Sequence, residues 1–350
     1  VDNALHHVSY GDCLSTVAAI FSGHGLTEPD ALRVAECLLE ADLRGISSHG
    51  VSRIPIYTRR LRLKLVNPRP DLKLTSLTPA AAHLDGDNGM GFVTASRAMS
   101  EAVERARVFG IGMVMAMNSN HFGIAASYLL QALAAGMASI VFTNASPAMP
   151  IWGGRTPFLG TSPLGMAAPG GKVPLVLDMA TSVAARGKIR RAAQRKEAIP
   201  AGWALDSEGR PTTDAQAAYD GVVLPLGGPK GSGLSLLMEA FAGVTSGAAF
   251  GGDVKNQYQD FDTPQNVGHM FIAMRPELFV GRDAYETRMN DLTDRTKACP
   301  LAEGFDEILM PGEGEQRRAN RGRREGFDLN TSDIAMLREE ASAAGASSLV

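Results

Sequence analysis

The chain has 350 residues, 45% hydrophobic and 20% charged, with 34 basic against 37 acidic side chains and a net charge of −3. That composition excludes a disordered chain and lacks the basic footprint that nucleic-acid binding requires. No run of ~18 apolar residues occurs, which leaves no candidate membrane span, and the length fits about two domains. Cys13, Cys37 and Cys299 are far apart and form no CxxC pair, as in a reducing compartment. The opening Val1-Asp2-Asn3 lacks the basic-then-apolar pattern of a signal peptide, so a soluble cytoplasmic protein is expected. Glycine is in excess, with 38 residues against an average near ~7%.

In chain order, Thr27-Glu28-Pro29 opens a helix carrying Leu32, Ala35, Leu38 and Leu39 at helical spacing. A second helix is expected from about Val51 to Leu65, ended near Asn67-Pro68. From about Asp71, short β-rich pieces follow: Leu72–Leu77, Ala81–Asp85, Ile111–Met117, Ala138–Thr143, Pro174–Leu177 and His269–Met274. They alternate with helical stretches at Ala95–Phe109, Ala125–Gly136 and Leu234–Ser246, the pattern of a layered α/β domain. The tail from about Asp283 is helical and highly charged. A mainly helical domain of residues 1–70 and 280–350 is therefore expected around an α/β domain of residues 71–279. Two basic runs, Arg186–Lys196 and Arg317–Arg324, read either as solvated faces or as a phosphate- or carboxylate-facing edge.

Standard nucleotide motifs are absent: no G-x-G-x-x-G follows a strand and no G-x-x-x-x-G-K-[ST] occurs. The segment Gly227-Gly228-Pro229-Lys230-Gly231-Ser232-Gly233 leads into an apolar helix from Leu234. It is a candidate anion site or a flexible loop with a solvated lysine. Pro311-Gly312-Glu313-Gly314-Glu315 offers backbone N–H groups to a pyrophosphate, or is a surface turn.

His49 has Arg53 four residues on and Tyr57 four further, so a helix from His49 would put all three on one face. Pro55 restricts that picture to a helix start. Arginine grips a carboxylate bidentately while histidine moves a proton near neutral pH. The bland alternative is a helix capped by Ser47 or Ser48 with a surface arginine. His121 lies in Asn118-Ser119-Asn120-His121-Phe122-Gly123, after a strand and before a helix, where open α/β sheets place ligands. Asn144 follows another strand, and Asp178 either accepts from a ribose hydroxyl or caps the helix after it. The hydroxyl-rich Phe158–Gly165, with Thr161, orients a substrate carboxylate or is a plain turn. No spacing supports a metal site.

Taken in order, these segments resemble the malate/L-lactate (type 2) dehydrogenases. That family includes sulfolactate, ureidoglycolate and diketogulonate oxidoreductases and the Δ1-piperideine-2-carboxylate ketimine reductases. The resemblance runs from about Ser9 to Asp333. It is carried by Ala41–Gly50, Asn118–Gly123, Gly160–Leu164, Leu177–Ser182 with Arg186-Gly187-Lys188, Pro200–Asp206 with Pro211–Asp214, Gly227–Gly233 and Pro311–Glu315. It implies a homodimeric NAD(P)-dependent oxidoreductase of a small 2-hydroxy acid, with a non-Rossmann dinucleotide-binding mixed sheet (71–279) beside a helical domain built from both termini. By position, His121 corresponds to the acid/base of the hydroxyacid members, and Ser48 with His49 to the proton-relay pair of the ketimine reductases. Arg53 corresponds to the carboxylate-binding arginine, with Tyr57, Thr161 and Lys188 as further substrate contacts. Cofactor contacts are implied at His121, Phe122, Gly123, Asn144, Asp178, Met179, Ala180, Lys230, Gly312, Glu313 and Gly314. Lys188 stands where the ketimine reductases carry an acidic residue, which puts reduction of a cyclic imino acid second. A catalytically silent dinucleotide-binding homologue is the remaining alternative.

Overall fold

The computed structural model describes residues 4–350; Val1-Asp2-Asn3, with its missing signal pattern, lies outside them. The chain starts with β1 (Leu5–Val8), α1 (Tyr10–Gly23) and α2 (Glu28–Leu43). The start of α2 is the expected one. The Thr27 side chain accepts from the Asp30 N–H and Pro29 sits in the first turn, a cap of about 1 kcal/mol.

The helix expected over Val51–Leu65 is shorter than that. Two single 3₁₀ turns, Ser47–His49 and Val51–Arg53, precede α3 (Ile54–Arg62). Gly50 breaks the path at φ −93°, ψ −146°. A Cβ there would run into the Asp42 carboxylate, whose Oδ2 accepts from the Val51 N–H at 2.8 Å. Pro55 falls in the first turn of α3, where its missing N–H is harmless.

The central layer contains β2 (Lys73–Ser76), β3 (Ala81–Asp85), α4 (Gly91–Phe109), β4 (Ile111–Ser119), α5 (Ala126–Ala134), β5 (Ala138–Thr143), β6 (Leu164–Ala168) and β7 (Leu175–Met179). An insertion follows with α6 (Arg186–Arg195), β8 (Ala204–Leu205), β9 (Pro211–Thr212), α7 (Ala215–Asp220) and β10 (Val222–Val223). After it come α8 (Pro229–Met238), a π-helical stretch Glu239–Thr245, β11 (Val267–Met274), α9 (Arg282–Lys297), α10 (Glu313–Glu325), β12 (Phe327–Asn330) and α11 (Thr331–Ala343). The helix begins at Pro229 rather than Leu234 because proline suits a first helical turn, so Lys230 and Gly231 belong to that turn. Gly231 packs so closely on the Leu226 and Thr181 carbonyls that a side chain has no room.

Seven strands form one mixed sheet in the order β2-β3-β4-β11-β5-β6-β7. Only β3 and β4 pair in parallel; the other neighbours are antiparallel. β6 fell within and beyond a segment read as a turn: Gly165, Ala167 and Ala168 give no β-branched signal, yet the strand pairs on both sides. The helices α4 and α5 bury one sheet face through Ala98, Met99, Ala102, Tyr128 and Leu129.

The two chain ends meet. β1 pairs antiparallel with β12, Leu5 opposite Asn330, and one apolar cluster joins Val17, Ile20, Leu38 and Ile54 to Leu329, Ile334 and Leu337. α9 lies elsewhere, against residues 169–172: the Tyr285 hydroxyl donates to the Pro169 carbonyl at 2.7 Å, and Lys172 pairs with Asp294. A third small core, with Met149, Leu159, Ile189 and Ala204, underlies α6, α7 and the three-stranded sheet β10-β8-β9. Neither terminal strand pairing nor this insertion was expected from the sequence.

Candidate active site

The polar loop after β4 is pinned before it reaches His121. Asn120 Nδ2 donates to the Gly89 carbonyl at 2.8 Å and to Asn88 Oδ1 at 3.0 Å. The His121 N–H donates to Gln265 Oε1 at 3.2 Å. The next backbone N–H with a side-chain partner, Gly123, donates to His121 Nδ1 at 3.2 Å, and the Tyr57 hydroxyl lies 2.8 Å from the same nitrogen. The His49 ring stacks beside the His121 ring, with centroids 5.7 Å apart and planes at 23°. Ser48 Oγ is 2.9 Å from His49 Nδ1.

Arg53 closes the group. Its Nε donates to the Ser48 carbonyl at 2.6 Å, and the guanidinium lies 5.4 Å from the Tyr258 ring centroid. Fixing Nε leaves the Nη edge for a carboxylate, the fork that arginine matches bidentately. Ser48, His49, Arg53 and His121 are partly exposed while Tyr57 is buried. The sequence-level expectation that His49, Arg53 and Tyr57 meet is met by a different route. The 3₁₀ turns around Gly50, not one helix face, bring them together.

Electrostatics keep both rings neutral. Burial, then the Arg53 charge, push His49 down to about 3. The same two causes, with His49 and His269 behind them, hold His121 well below 6.5. Burial raises the Tyr57 phenol, with Arg53 opposing. Two neutral imidazoles beside a fixed guanidinium are suited to exchanging a proton with a small anionic substrate.

Around this group stand residues that carried no motif. Gln265 also donates to the Lys255 carbonyl at 2.9 Å, so the segment 253–265 is tied to the His121 backbone. Buried Arg60 holds the same segment, donating to the Asp260 carbonyl at 2.8 Å and to that of Thr263 at 3.2 Å. His269 lies fully buried behind Phe122, between Thr143 Oγ1 at 2.7 Å and Ser119 Oγ at 2.8 Å. Of these groups the sequence marked only His269, as the first residue of an expected strand.

The residues expected at a cofactor occupy varied environments. Phe122 is core: its ring stacks on His269, and its carbonyl accepts from the Tyr128 hydroxyl at 2.5 Å. Asn144 is buried, with Oδ1 accepting from the Gly268 N–H at 3.0 Å and Nδ2 donating to the Ala249 carbonyl at 2.6 Å. Asp178 caps α5, which precedes it in the chain, rather than the following helix: Oδ2 accepts from the Ala126 N–H at 2.8 Å. Burial raises its carboxyl to about 6. Met179 ends β7 and Ala180 follows it, exposed. Lys230 is exposed in the first turn of α8. Gly312 caps α10 at φ +80°. The Glu313 side chain is buried between Lys297 at 2.7 Å and Arg317 at 2.6 Å and its N–H donates to the Met310 carbonyl at 3.0 Å, so of the two residues Gly314 offers the open N–H at the helix N-terminus. The Thr161 carbonyl accepts from Thr181. Lys188 is exposed on α6, with no hydrogen bond to the histidine group among the described residues. No cluster of metal-ligating side chains occurs among the described residues.

A mixed sheet joined to helices from both chain ends, with two neutral histidines beside an arginine whose Nη edge makes no hydrogen bond among the described residues, defines an α/β protein. The family described as malate/L-lactate dehydrogenase matches residues 8–338. The L-sulfolactate dehydrogenase of Methanocaldococcus jannaschii is 42% identical over 315 residues, 90% of either chain. A malate dehydrogenase of Pyrococcus abyssi is 38% identical, covering 89% of this chain and 88% of that one. The solved sulfolactate dehydrogenase structure from Methanocaldococcus jannaschii superposes with a TM-score of 0.91 at 38% identity, covering 97% of this chain and 98% of that one. The chain belongs to the malate/L-lactate dehydrogenase family.

Proposed function

We propose that the cleft between Arg53, His49 and His121 is where this protein works. The protein is an NAD(P)-dependent dehydrogenase acting on the CH–OH group of a small 2-hydroxy acid and returning the 2-oxo acid. The observation that carries this reading is the Arg53 guanidinium, held at Nε by the Ser48 carbonyl and open at its Nη edge beside two neutral histidines. The substrate carboxylate would sit on that edge, and alignment of this kind supplies much of a rate enhancement. His121 would handle the substrate-oxygen proton, with Ser48 and His49 beside it as a second carrier. Arg53 would stabilise the developing alkoxide. Thr161 and Lys188 would complete substrate binding, with Lys188 brought in by movement of α6 or by a second subunit.

The nicotinamide cofactor supplies the hydride chemistry when bound. The groups that would hold it are the N-terminus of α10, at Gly312, Glu313 and Gly314, suited to phosphate, and the exposed Lys230 side chain at the start of α8. Backbone at Phe122 and Gly123, with Asn144, Asp178, Met179 and Ala180, would line the rest. The predominantly antiparallel sheet supports a dinucleotide site unlike the parallel Rossmann arrangement. The interlocked chain ends support a helical domain of residues 1–70 and 280–350, with α9 as its arm onto the α/β domain 71–279. A homodimer is supported by a contiguous apolar surface: Leu234, Leu236, Leu237, Phe241 and Val244 on α8 and the π-helical stretch are each 40–58% exposed, and such patches mark interfaces. Three unpaired cysteines support a cytoplasmic location.

The test is a screen of reduced-nicotinamide absorbance with sulfolactate, malate, lactate, ureidoglycolate and Δ1-piperideine-2-carboxylate, using both cofactors. Turnover of a 2-hydroxy acid is expected, and Arg53→Ala should lower kcat/KM by about 10²-fold, the order of a lost charge-assisted contact. Turnover of the cyclic imine alone would move the reaction class, and undiminished activity in the variant would remove Arg53 from the site.

A further inference from the structure

The Tyr57 hydroxyl was expected to touch substrate, but it is committed to His121, and that commitment has a chemical consequence. A backbone N–H can only donate, so the Gly123 contact at 3.2 Å requires a lone pair on His121 Nδ1. The Tyr57 hydroxyl, 2.8 Å from the same nitrogen, then donates to it as well. A neutral imidazole carries one proton, which therefore resides on Nε2, the nitrogen with no protein partner among the described residues. The resting ring is thus a hydrogen-bond donor toward the cleft. Tyr57 is held for this task. It is buried on α3, edge-on to Phe92 at 5.4 Å and 86°, and has no other hydrogen-bond partner among the described residues.

A ring that gives up its Nε2 proton with nothing arriving at Nδ1 would become an imidazolate, which is prohibitively basic. From this geometry we propose that Tyr57 is a positioning and proton-relay residue acting through His121. In reduction of the 2-oxo acid, the C=O π bond breaks as C2 gains the hydride that a bound reduced nicotinamide would supply. The substrate oxygen takes the Nε2 proton, and the phenolic proton of Tyr57 passes to Nδ1. The imidazole moves from one neutral tautomer to the other, and the charge left on the phenolate lies near the Arg53 guanidinium until solvent returns a proton. Oxidation is the same sequence reversed, so it draws on the phenolate and is favoured by alkaline pH. This inference rests on the dehydrogenase reading above.

The groups bearing on this proton are known. His49 and Arg53 face it from the 3₁₀ turns and Tyr258 from the segment 253–265, with His269 on β11 and Tyr128 on α5 behind. None is a carboxylate. An imidazolium at His121 is the competing proton source, and burial with the Arg53 charge makes it scarce at neutral pH.

Tyr57→Phe tests the relay, since it keeps the ring against Phe92 and removes only the hydroxyl. The expected result is a kcat for 2-oxo acid reduction lower by about 10²-fold at neutral pH, with KM values for acid and cofactor and the unfolding midpoint unchanged. The variant should recover on acidification, falling about tenfold per pH unit above its low apparent pKa, whereas the parent stays flat through neutrality. Nitrogen-15 NMR of histidine-labelled resting protein should place the His121 proton on Nε2. A Tyr57→Phe variant with the parent's kcat and pH profile would overturn the relay, as would a resting proton on Nδ1 in a protein that turns over. No turnover by the parent with any acid tested would instead overturn the dehydrogenase reading, and the relay with it.

Discussion

The two basic runs look alike in sequence and differ in structure. On α10, Arg317 pairs with Glu307 at 2.7 Å and with Glu313 at 2.6 Å, Arg318 pairs with Glu315 at 3.0 Å, and Arg323 pairs with Glu40. Two of these contacts, to Glu40 and to Glu307, fasten α10 to α2 and to the segment before it, and the other two lie within the helix. On α6, Lys188, Arg190, Arg191, Arg195 and Lys196 are exposed and have no acidic partner among the described residues. Arg186 alone is engaged, donating to the Tyr219 carbonyl at 3.3 Å and lying over the Tyr219 ring. A run of like charge therefore says little until the acids within reach are known. The α10 run holds the fold together, while the α6 run leaves its charge open to solvent, substrate or another chain.

The largest expected effect lies on the paired side. Glu313 is buried and accepts from Lys297, Arg317 and the Met310 N–H. Glu313→Ala should cost about 1.5 kcal/mol in urea unfolding, the order for losing hydrogen bonds to a charged group whose cationic partners are themselves partly exposed; a loss below about 0.5 kcal/mol would break the comparison. A pH dependence follows. Burial raises the Glu313 carboxyl, but the bonds from Lys297, Met310 and Arg317 outweigh it and bring it to about 2. Its folded value lies below the ordinary value near ~4.3, so this contribution is fully present above that pH. It is lost as pH falls from there through about 2. Glu313→Gln should flatten that part of the acid stability curve.

How far the sequence carried depended on local signals of this kind. The strands Ala81–Asp85 and Ala138–Thr143 were legible to the residue, because apolar runs were bounded by turn residues. His49 and His121 were legible as site candidates because polar residues interrupted apolar ones at strand and helix ends. Ser48, Arg53 and Tyr57 were legible beside them, but the segment that holds His121 in place was not. Gln265, Tyr258 and Arg60 act through one segment whose path depends on backbone carbonyls accepting from a buried guanidinium, and no residue pattern encodes that. The π-helical stretch Glu239–Thr245 was read as ordinary helix because it keeps helical apolar spacing. Nor does α10's pairing show locally, since Glu40 and Arg323 lie 283 residues apart.

On the unpaired side the effects should be smaller and of another kind. Lys188→Ala should leave the urea midpoint unchanged and lower kcat/KM for the 2-oxo acid by about tenfold, the size of one modest charge-assisted contact. An unchanged kcat/KM would return Lys188 to the solvated face. The rest of α6 provides the sharpest contrast with α10. Arg191 and Arg195 are exposed and four apart, so in a helix they repel each other slightly, with no carboxylate to offset it among the described residues. Changing both to Gln should therefore shift stability by no more than about 0.5 kcal/mol, the usual range for surface sites, and the sign should be stabilising at low salt. Because Coulomb repulsion between exposed charges is screened over about 10 Å at 0.1 M salt, the difference should vanish as salt rises. Urea unfolding of the double variant at low and high salt checks this. A destabilisation above about 1 kcal/mol would mean that these arginines have partners after all, in a second subunit, and that α6 is as much a structural clasp as α10.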